Sequence, residues 1–142
     1  MEKGRRSPPA FDPAAHGWKP QHDGGFGEFA GPFWQRPAET GFDYGFLADA
    51  RHKNHRGIVH GGVLMTFADN SMGLTSWYAN GEKPQVTAQL GVQFVAATHL
   101  GEFVEARCTV LRTTRTLVFV TALLSVGDRL VLSASGVWKL LG

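Results

Sequence analysis

Residues 61–79 read GGVLMTFADNSMGLTSWYA and have the composition of a long, buried helix. Their large apolar side chains fall on all sides of a helical cylinder rather than on one stripe, so other elements have to cover most of its circumference. The pair Asn80-Gly81 that follows suits a left-handed C-terminal cap. The sequence therefore predicts one central helix from Gly61 to about Ala79.

The segments around this helix have the period-two pattern of β-strands. Phe42, Tyr44 and Phe46 alternate with smaller or polar residues before the helix, and four further strand segments follow it at residues 86–94, 104–110, 116–125 and 130–140. The breaks between the later strands are short enough for antiparallel hairpins. We predict an α+β fold in which a curved antiparallel sheet of about five strands wraps around one long helix.

The N-terminal part of the chain differs from the rest in composition. Residues 1–25 contain four prolines and four glycines, which disfavours regular structure. We expect an arm that is either mobile or held on the body by Phe11 and Trp18, with residues 26–39 as a packed loop or a short helical turn. The chain then divides into a Pro/Gly- and aromatic-rich arm, residues 1–39, and one domain, residues 40–142.

Charge and composition exclude several classes of protein. The 142 residues include 14 basic and 12 acidic side chains, a net charge of +2, and a single cysteine, Cys108. This balance is too even for a nucleic-acid-binding face, and one cysteine excludes an intramolecular disulfide framework. No apolar run is long enough to span a membrane, and the first residues lack the apolar core of a secretory signal. We expect a soluble, cytoplasmic protein without nucleic-acid or membrane partners.

The sequence His60-Gly61-Gly62 stands where a loop enters the predicted helix. Backbone N–H groups at a helix N-terminus lack intrahelical partners and favour negative charge, and glycine lets a ligand approach the backbone closely. Such a junction suits a carbonyl oxygen that becomes an oxyanion. The alternative for this motif alone is a tight turn with a structural histidine.

Asp69 lies about two turns into the helix, among apolar residues. Burial there would raise the pKa of its carboxyl group toward a value useful for a general base. The alternative is a solvated aspartate, or one that Asn70 or Ser71 hydrogen-bonds. Thr87, in the first strand after the helix, could hold a water molecule, although threonine is also an ordinary strand residue.

The loop before the helix, residues 51–57, is basic and is predicted to be exposed. Its cations Arg51, Lys53 and Arg56 are either solvated or placed to contact the phosphates of an anionic ligand. The histidines at positions 52, 55 and 60 could be metal ligands by their spacing. That spacing does not place two imidazoles on one rigid face, and no acidic ligand is close, so we expect no metal site.

The residues of this region form the pattern N-x2-G-x2-H-G-G-x6-D, made by Asn54, Gly57, His60, Gly61, Gly62 and Asp69. The pattern resembles the hotdog-fold acyl-CoA thioesterases, and among them the branch of the phenylacetic-acid-degradation thioesterase. The strands after Pro84, with a hydroxyl residue at Thr87, are similar as well. The resemblance covers roughly residues 40–142. Gln89 departs from it, because relatives often have an acid there, and so does Ala96, where they often have proline.

This resemblance implies the hotdog fold and hydrolysis of an acyl-CoA thioester to a carboxylate and free coenzyme A. Two subunits would pair edge to edge in a homodimer, or within a homotetramer, and the active sites would lie at their interface. Coenzyme A is then part of the substrate, so no separate cofactor is expected.

The resemblance also implies roles for individual residues. The Gly61 N–H and the Asn54 amide would polarise the thioester carbonyl, and Asp69 of the other subunit would activate water or attack directly. Thr87 would position the water, and His60 would orient the loop near the departing thiolate. Gly62 would open the helix, and the remaining substrate-binding candidates are Gly57, Arg56 and Lys53.

Two other functions stay open at this level. One is an enoyl-thioester hydratase or dehydratase on the same fold, which would pair a histidine with an acid. The other is a non-catalytic acyl-CoA-binding protein. The acyl group is also open, because the aromatic residues Trp34, Trp77, Tyr78 and Phe94 suit either a substrate pocket or a core.

Overall fold

The computed structural model describes residues 11–142. The helices and strands, in chain order, are β1 (Lys19–Pro20), α1 (Phe26–Ala30), β2 (Phe33–Pro37), β3 (Phe42–Leu47), α2 (Gly61–Ala79), β4 (Gln85–Phe94), β5 (Phe103–Thr113), β6 (Leu117–Val126) and β7 (Arg129–Leu140). Short 3-10 turns lie at Pro13–His16 and Ala50–His52. Within residues 11–142, none of the helices has both the length and the apolar character that crossing a membrane requires.

The seven strands form one antiparallel sheet in the order β1-β2-β3-β5-β6-β7-β4. Strands β5, β6 and β7 follow one another through short turns, as predicted. Strand β4, the first after α2, crosses over to pair with β7 and becomes an edge of the sheet. Because α2 packs against strands β3 to β7, the sheet covers the helix as the sequence predicts.

Helix α2 begins at Gly61 and ends at Ala79, which are the predicted bounds. At its C-terminus Gly81 has φ +79°, a left-handed conformation that glycine adopts without steric cost. Most other positions on the helix are half-buried. The fully buried side chains, which face the sheet, are Leu64, Phe67, Ala68, Ser71, Met72 and Ser76.

The hydrophobic core lies between α2 and the sheet. The ring of Phe67 on the helix lies 5.2 Å from that of Phe33 on β2 and 5.7 Å from that of Phe46 on β3, measured between centroids. Leu124 on β6 and Trp138 on β7 close the other side and are almost completely buried. Burial of these large apolar side chains supplies the main free energy that holds the helix on the sheet.

Two of the seven strands come from the segment that the sequence assigned to an arm. Strand β2 pairs with β3, with Phe33 opposite Phe46, and β1 pairs with β2. Pro20 and Pro37 pointed to a loop, but both stand at strand ends, where a missing N–H is tolerated. The sheet therefore has seven strands, two more than the five or so that were predicted. The helical turn that was predicted as one alternative for residues 26–39 is present as α1.

Phe11 and Trp18 lay the arm over the sheet, which was one of the two alternatives predicted. Their ring centroids lie 4.8 and 5.0 Å from that of Phe103 on β5. Gly45 makes room for this ring, because a Cβ at position 45 would lie 2.2 Å from it. Residues 1–10 of the predicted arm lie outside the described residues, and the boundary between arm and domain at residue 40 stays a prediction.

Candidate active site

Asn54 shapes the loop that leads into α2. Its side-chain Oδ1 accepts hydrogen bonds from the N–H groups of Arg56, at 2.8 Å, and Ile58, at 3.4 Å. Gly57 completes the turn with φ +81°, a conformation that favours glycine. The Asn54 oxygen is therefore used inside the loop, and its amide nitrogen has no hydrogen-bond partner within residues 11–142.

His60 caps the N-terminus of α2. Its Nδ1 accepts a hydrogen bond of 2.9 Å from the N–H of Gly62, which satisfies one of the free donors of the first turn. A Cβ on Gly62 would lie 3.0 Å from that Nδ1, so the second glycine lets the cap close. Gly61, the first helical residue, keeps a free N–H, because no acceptor for it lies among residues 11–142.

The free N–H of Gly61 lies at a cleft of about 410 Å³, hereafter the loop cleft. Asn54 lines the same cleft, together with Phe94 from the end of β4 and Thr98 from the segment after it. A Cβ on Gly61 would lie 3.0 Å from the Phe94 ring. The structure thus places Asn54 and Gly61, whose donors the family resemblance pairs, at one opening with an apolar wall.

Asp69 lies in a second cleft of about 270 Å³, hereafter the aspartate cleft. It is half-buried rather than buried, because its apolar neighbours in the sequence face the core while its own position faces β4. Its partner is Thr87, whose hydroxyl donates a hydrogen bond of 2.8 Å to Asp69 Oδ1. Neither Asn70 nor Ser71, the partners considered from the sequence, makes this bond.

A β-bulge turns Thr87 toward the helix. Thr87 pairs with Trp138 and Leu90 pairs with Gly136, and the register shifts between Thr87 and Gln89. Opposed residues of an antiparallel pair share a face, and Trp138 and Gly136 both face the core. Thr87 therefore lies on the helix side of the sheet, where it stays exposed to solvent, although strict alternation from Leu90 would place it on the opposite side. This is the effect of one extra residue in a strand.

The two clefts lie at different places on one chain. Gly61 and Asp69 are separated by eight residues of a continuous helix, which corresponds to about 12 Å along its axis. A single carbonyl group cannot contact the Gly61 N–H and the Asp69 carboxylate of the same chain at once. The Gly61 N–H and the Asp69 carboxylate therefore belong to two separate clefts of this chain.

The basic loop divides into exposed and structural residues. Lys53 and Arg56 are exposed beside the loop cleft. Arg51, in contrast, donates to the backbone carbonyl groups of Phe29 and Gly31 and to the Asp49 carboxylate. Burial acts to raise the pKa of Asp49, but the hydrogen bonds from Arg51 outweigh it and lower that pKa. Arg51 thus stabilises the C-terminal end of α1 through these hydrogen bonds and does not form a free basic cluster with Lys53 and Arg56.

His52 corrects the prediction that residues 51–57 form an exposed loop. Its side chain is 3% exposed. The ring nitrogens bond the N–H of Asp49 and the carbonyl oxygen of Ala30, and the ring packs on Phe46. Both nitrogens are therefore occupied by structural contacts, because folding brings α1 over this turn, and His52 does not meet His55 and His60 at a shared site.

A third cavity of about 560 Å³ lies between the C-terminal half of α2 and strands β3 and β5. It is lined by Tyr44, Thr75, Tyr78 and Cys108 among others. Burial raises the pKa of the Cys108 thiol to about 11 and also raises the pKa of Tyr44. The thiol is therefore protonated at neutral pH and is not a nucleophile there.

Sequence reasoning missed several residues that line the aspartate cleft. Trp138 and Gln85 come from β7 and β4, and Asn70 and Leu74 come from the helix itself. Asn70 could have been found from its position beside Asp69, and Trp77, which was considered as a pocket residue, does line this cleft. Nothing in the sequence around Trp138 indicated that it lines this cleft, because its position depends on the pairing of strands that are distant in the chain.

Two sequence comparisons with known proteins agree on the family to which this chain is similar. A sequence profile described as the Thioesterase superfamily matches residues 56–133. The Pseudomonas aeruginosa protein named "Putative esterase PA0474" is 34% identical over 115 residues, which cover 80% of this chain and 86% of that protein.

Solved structures share the fold. The phenylacetic acid degradation protein PaaI of Thermus thermophilus, solved as a mutant, is similar with a TM-score of 0.73 and 22% identity over 81% of this chain and 97% of that one. BH2602 of Bacillus halodurans, solved with CoA, has a TM-score of 0.66 and 21% identity over 76% of this chain and 73% of its own. The predicted hotdog fold is confirmed.

Proposed function

The chain belongs to the thioesterase superfamily, and on that premise we propose that it hydrolyses acyl-CoA thioesters to a carboxylate and free coenzyme A. The observation that carries the proposal is the hydrogen bond of 2.8 Å between the Thr87 hydroxyl and Asp69 Oδ1, in a cleft that Leu74 and two tryptophans also line. That bond fixes a carboxylate oxygen on the helix, where a base or nucleophile can act on a bound thioester.

The free donors at the loop cleft supply the second part of the mechanism. The Gly61 N–H and the Asn54 amide nitrogen have no protein acceptor within residues 11–142, so both can donate to the thioester oxygen. As the carbonyl carbon becomes tetrahedral, this oxygen gains negative charge and the two hydrogen bonds strengthen. The positive end of the α2 dipole acts in the same direction.

Asp69 supplies the attack on the carbonyl carbon. In one route its carboxylate takes a proton from water, the hydroxide adds to the carbon, the C–S bond breaks, and the thiolate leaves and takes up the proton. In the other route the carboxylate itself adds and expels the thiolate, and water then hydrolyses the mixed anhydride. Both routes require the Asp69 carboxylate, which the Thr87 hydroxyl orients through Oδ1, and neither requires a metal or a cofactor.

We propose that a second copy of the chain completes the site through the edge strand β4. On this strand Val86 is 47% exposed and Phe94 is 54% exposed. Val95, which follows the strand, is also 54% exposed. An exposed, unpaired edge with large apolar side chains is suited to pairing with another strand. Antiparallel pairing of two β4 strands would bring the Gly61 donor of one copy toward Asp69 of the other, and so remove the separation within one chain.

Coenzyme A fits the surroundings of the loop cleft. Its phosphates need cations, and Lys53 and Arg56 are exposed on the loop that forms the cleft. BH2602, which has the same fold, was solved with CoA. The proposed arrangement has the phosphates on this loop, the thioester carbonyl at Gly61 and the acyl group beyond Asp69.

The test is the variant Asp69→Asn, which removes the base and keeps the shape of the side chain. We expect thiol release from a panel of aryl and aliphatic acyl-CoAs to fall by about 10²–10⁴-fold, with an unchanged thermal unfolding midpoint. Asp128→Asn makes the same change in the exposed β6–β7 turn and should hydrolyse like the wild type. Near-wild-type hydrolysis by Asp69→Asn would refute the assignment, and loss of the enoyl absorbance of crotonyl-CoA would favour a hydratase.

A further inference from the structure

The N–H edge of the Trp138 indole ring opens on the aspartate cleft. Trp138 is 1% exposed, and it lines this cleft from β7. Two glycines fix the direction of the ring. A Cβ on Gly136 would lie 2.7 Å from Cζ3, at the six-membered ring, and a Cβ on Gly73 would lie 3.3 Å from Nε1. The six-membered ring therefore packs against its own strand, and the N–H edge lies against α2.

The indole N–H has no acceptor within residues 11–142. Gly73, which it faces, uses its carbonyl oxygen as the acceptor for Nε2 of Gln85, at 2.7 Å. The fully buried side-chain atoms without a partner in this range are Gln21 Nε2 and Thr98 Oγ1. Trp138 Nε1 is not one of these enclosed atoms, so a molecule in the cleft can reach it. Because a buried indole N–H ordinarily has a hydrogen-bond partner, this donor points to a partner inside the cleft.

The indole N–H lies close to Asp69 from two directions. Asp69 and Gly73 are four residues apart on α2, and such positions are neighbours on a helix surface, with about 5–6 Å between their Cβ positions. On the sheet, Trp138 is directly opposite Thr87, whose hydroxyl is bonded to Asp69 Oδ1. A water molecule that is hydrogen-bonded at both ends spans about 5–6 Å. One water molecule therefore fits the separation between the indole N–H and the carboxylate.

Thr87 has no proton left for such a water molecule. Its hydroxyl carries a single proton, and that proton lies in the bond of 2.8 Å to Asp69 Oδ1. Toward a water molecule the Thr87 oxygen can therefore act as an acceptor and not as a donor. A donor that holds the oxygen of the water has to come from another residue, and Trp138 supplies one in the same cleft.

We propose that Trp138 is a positioning residue for the water that Asp69 activates. The water accepts a hydrogen bond from Trp138 Nε1 through one lone pair and donates a proton to the second carboxylate oxygen of Asp69. Its other lone pair forms the bond to the carbonyl carbon while Asp69 takes the proton, after which the C–S bond breaks and the thiolate takes up that proton. In the covalent route, water held at the same place hydrolyses the mixed anhydride. This inference rests on the proposed thioesterase activity.

The experiment replaces Trp138 alone by β-(3-benzothienyl)alanine, whose ring has the shape of indole but carries sulfur in place of the N–H. We expect kcat for the best substrate of the acyl-CoA panel to fall by about 10–10²-fold, because the attacking water is less well placed. KM and the unfolding midpoint should not change, because the lost group contacts neither the substrate nor the protein. Trp138→5-fluorotryptophan keeps the N–H and should keep kcat close to the wild-type value.

Trp18 offers the matched control. It is also buried, at 2% exposed, but it packs on Phe103 at the other face of the sheet. The benzothienyl analogue at position 18 should therefore leave kcat and KM unchanged. Trp138→Phe also removes the donor, but it empties part of the core and lowers stability, so the isosteric analogue is the decisive variant.

Three outcomes with the position-138 analogues would overturn the inference. The first is a wild-type kcat in the benzothienyl variant. The second is a loss that appears in KM or in the unfolding midpoint instead of kcat, which would make the N–H a substrate contact or a structural group. The third is an equal loss of kcat in the 5-fluorotryptophan variant. A wild type that releases thiol from none of the acyl-CoAs would instead contradict the proposed function, so the two failures are distinguishable.

Discussion

Gly61 and Gly62 are neighbours with different roles. The N–H of Gly62 is satisfied by His60 Nδ1, at 2.9 Å, so it is not free for a ligand. The N–H of Gly61 has no acceptor within residues 11–142 and opens on the loop cleft. The histidine therefore fixes the helix terminus by occupying one donor, and it leaves the neighbouring donor free within residues 11–142.

The variant Gly61→Pro tests this free donor. Proline is well tolerated at the first helical position, where its missing N–H breaks no intrahelical bond, and His60 already has the extended conformation that proline favours before it, with ψ 132°. We expect the unfolding midpoint to be retained and kcat to fall by about 10²–10³-fold, the usual loss for one oxyanion donor.

Gly61→Ala is the matched control for the proline variant. Its Cβ makes the same approach to the exposed Phe94 ring, at 3.0 Å, but it keeps the N–H. Steady-state kinetics should show a much smaller loss in Gly61→Ala than in Gly61→Pro. Equal losses in the two variants would mean that the added carbon, and not the missing donor, is responsible.

Strand β4 is the element that positions the proposed base. Its bulge between Thr87 and Gln89 brings the Thr87 hydroxyl to Asp69. On the neighbouring strand, Gly136 lies under this irregular region, where a Cβ would be 2.8 Å from the carbonyl oxygen of Gln89 and 2.7 Å from the Trp138 ring. The backbone of β4 thus approaches β7 at a point where only glycine leaves enough room.

Gly136→Ala should therefore destabilise the protein. The Cβ has to displace a backbone carbonyl and a buried indole, and such overpacking costs about 1–3 kcal/mol. Urea unfolding monitored by tryptophan fluorescence measures the change. Ser135→Ala, at the preceding exposed position, should leave the unfolding free energy nearly unchanged, and a similar change in both variants would contradict the packing argument.

At the scale of the whole molecule, the proposed chemistry is divided between two copies of the chain. The separation of about 12 Å along α2 between Gly61 and Asp69 follows from helix geometry alone. The exposed apolar residues of the β4 edge give a second copy a place to pair. Each dimer would then contain two sites, and each site would take its oxyanion donors from one chain and its carboxylate from the other.

Complementation between inactive variants tests this division. Asp69→Asn and Gly61→Pro, co-expressed with different tags and isolated over both tags, should give mixed dimers with one intact site and one doubly defective site. A symmetric dimer of this kind should recover about half of the wild-type activity. Mixed dimers as inactive as either parent would show that both groups act from the same chain.

The sequence by itself determined α2, the alternating strands after it, and the loop that carries Asn54 into the helix. These features are local, because helix period, caps and the loop that Asn54 closes depend on residues close together in the chain. For the same reason the order of residues alone predicts that a helix begins at Gly61.

Only the tertiary structure decided where three groups of residues lie. Thr87 faces Asp69 because a bulge in β4 changes its face, and a bulge depends on the register with β7. His52 is buried because α1 covers it, and β1 and β2 join the sheet because Phe33 packs on Phe67. Each of these depends on contacts between distant parts of the chain, which composition and periodicity do not encode.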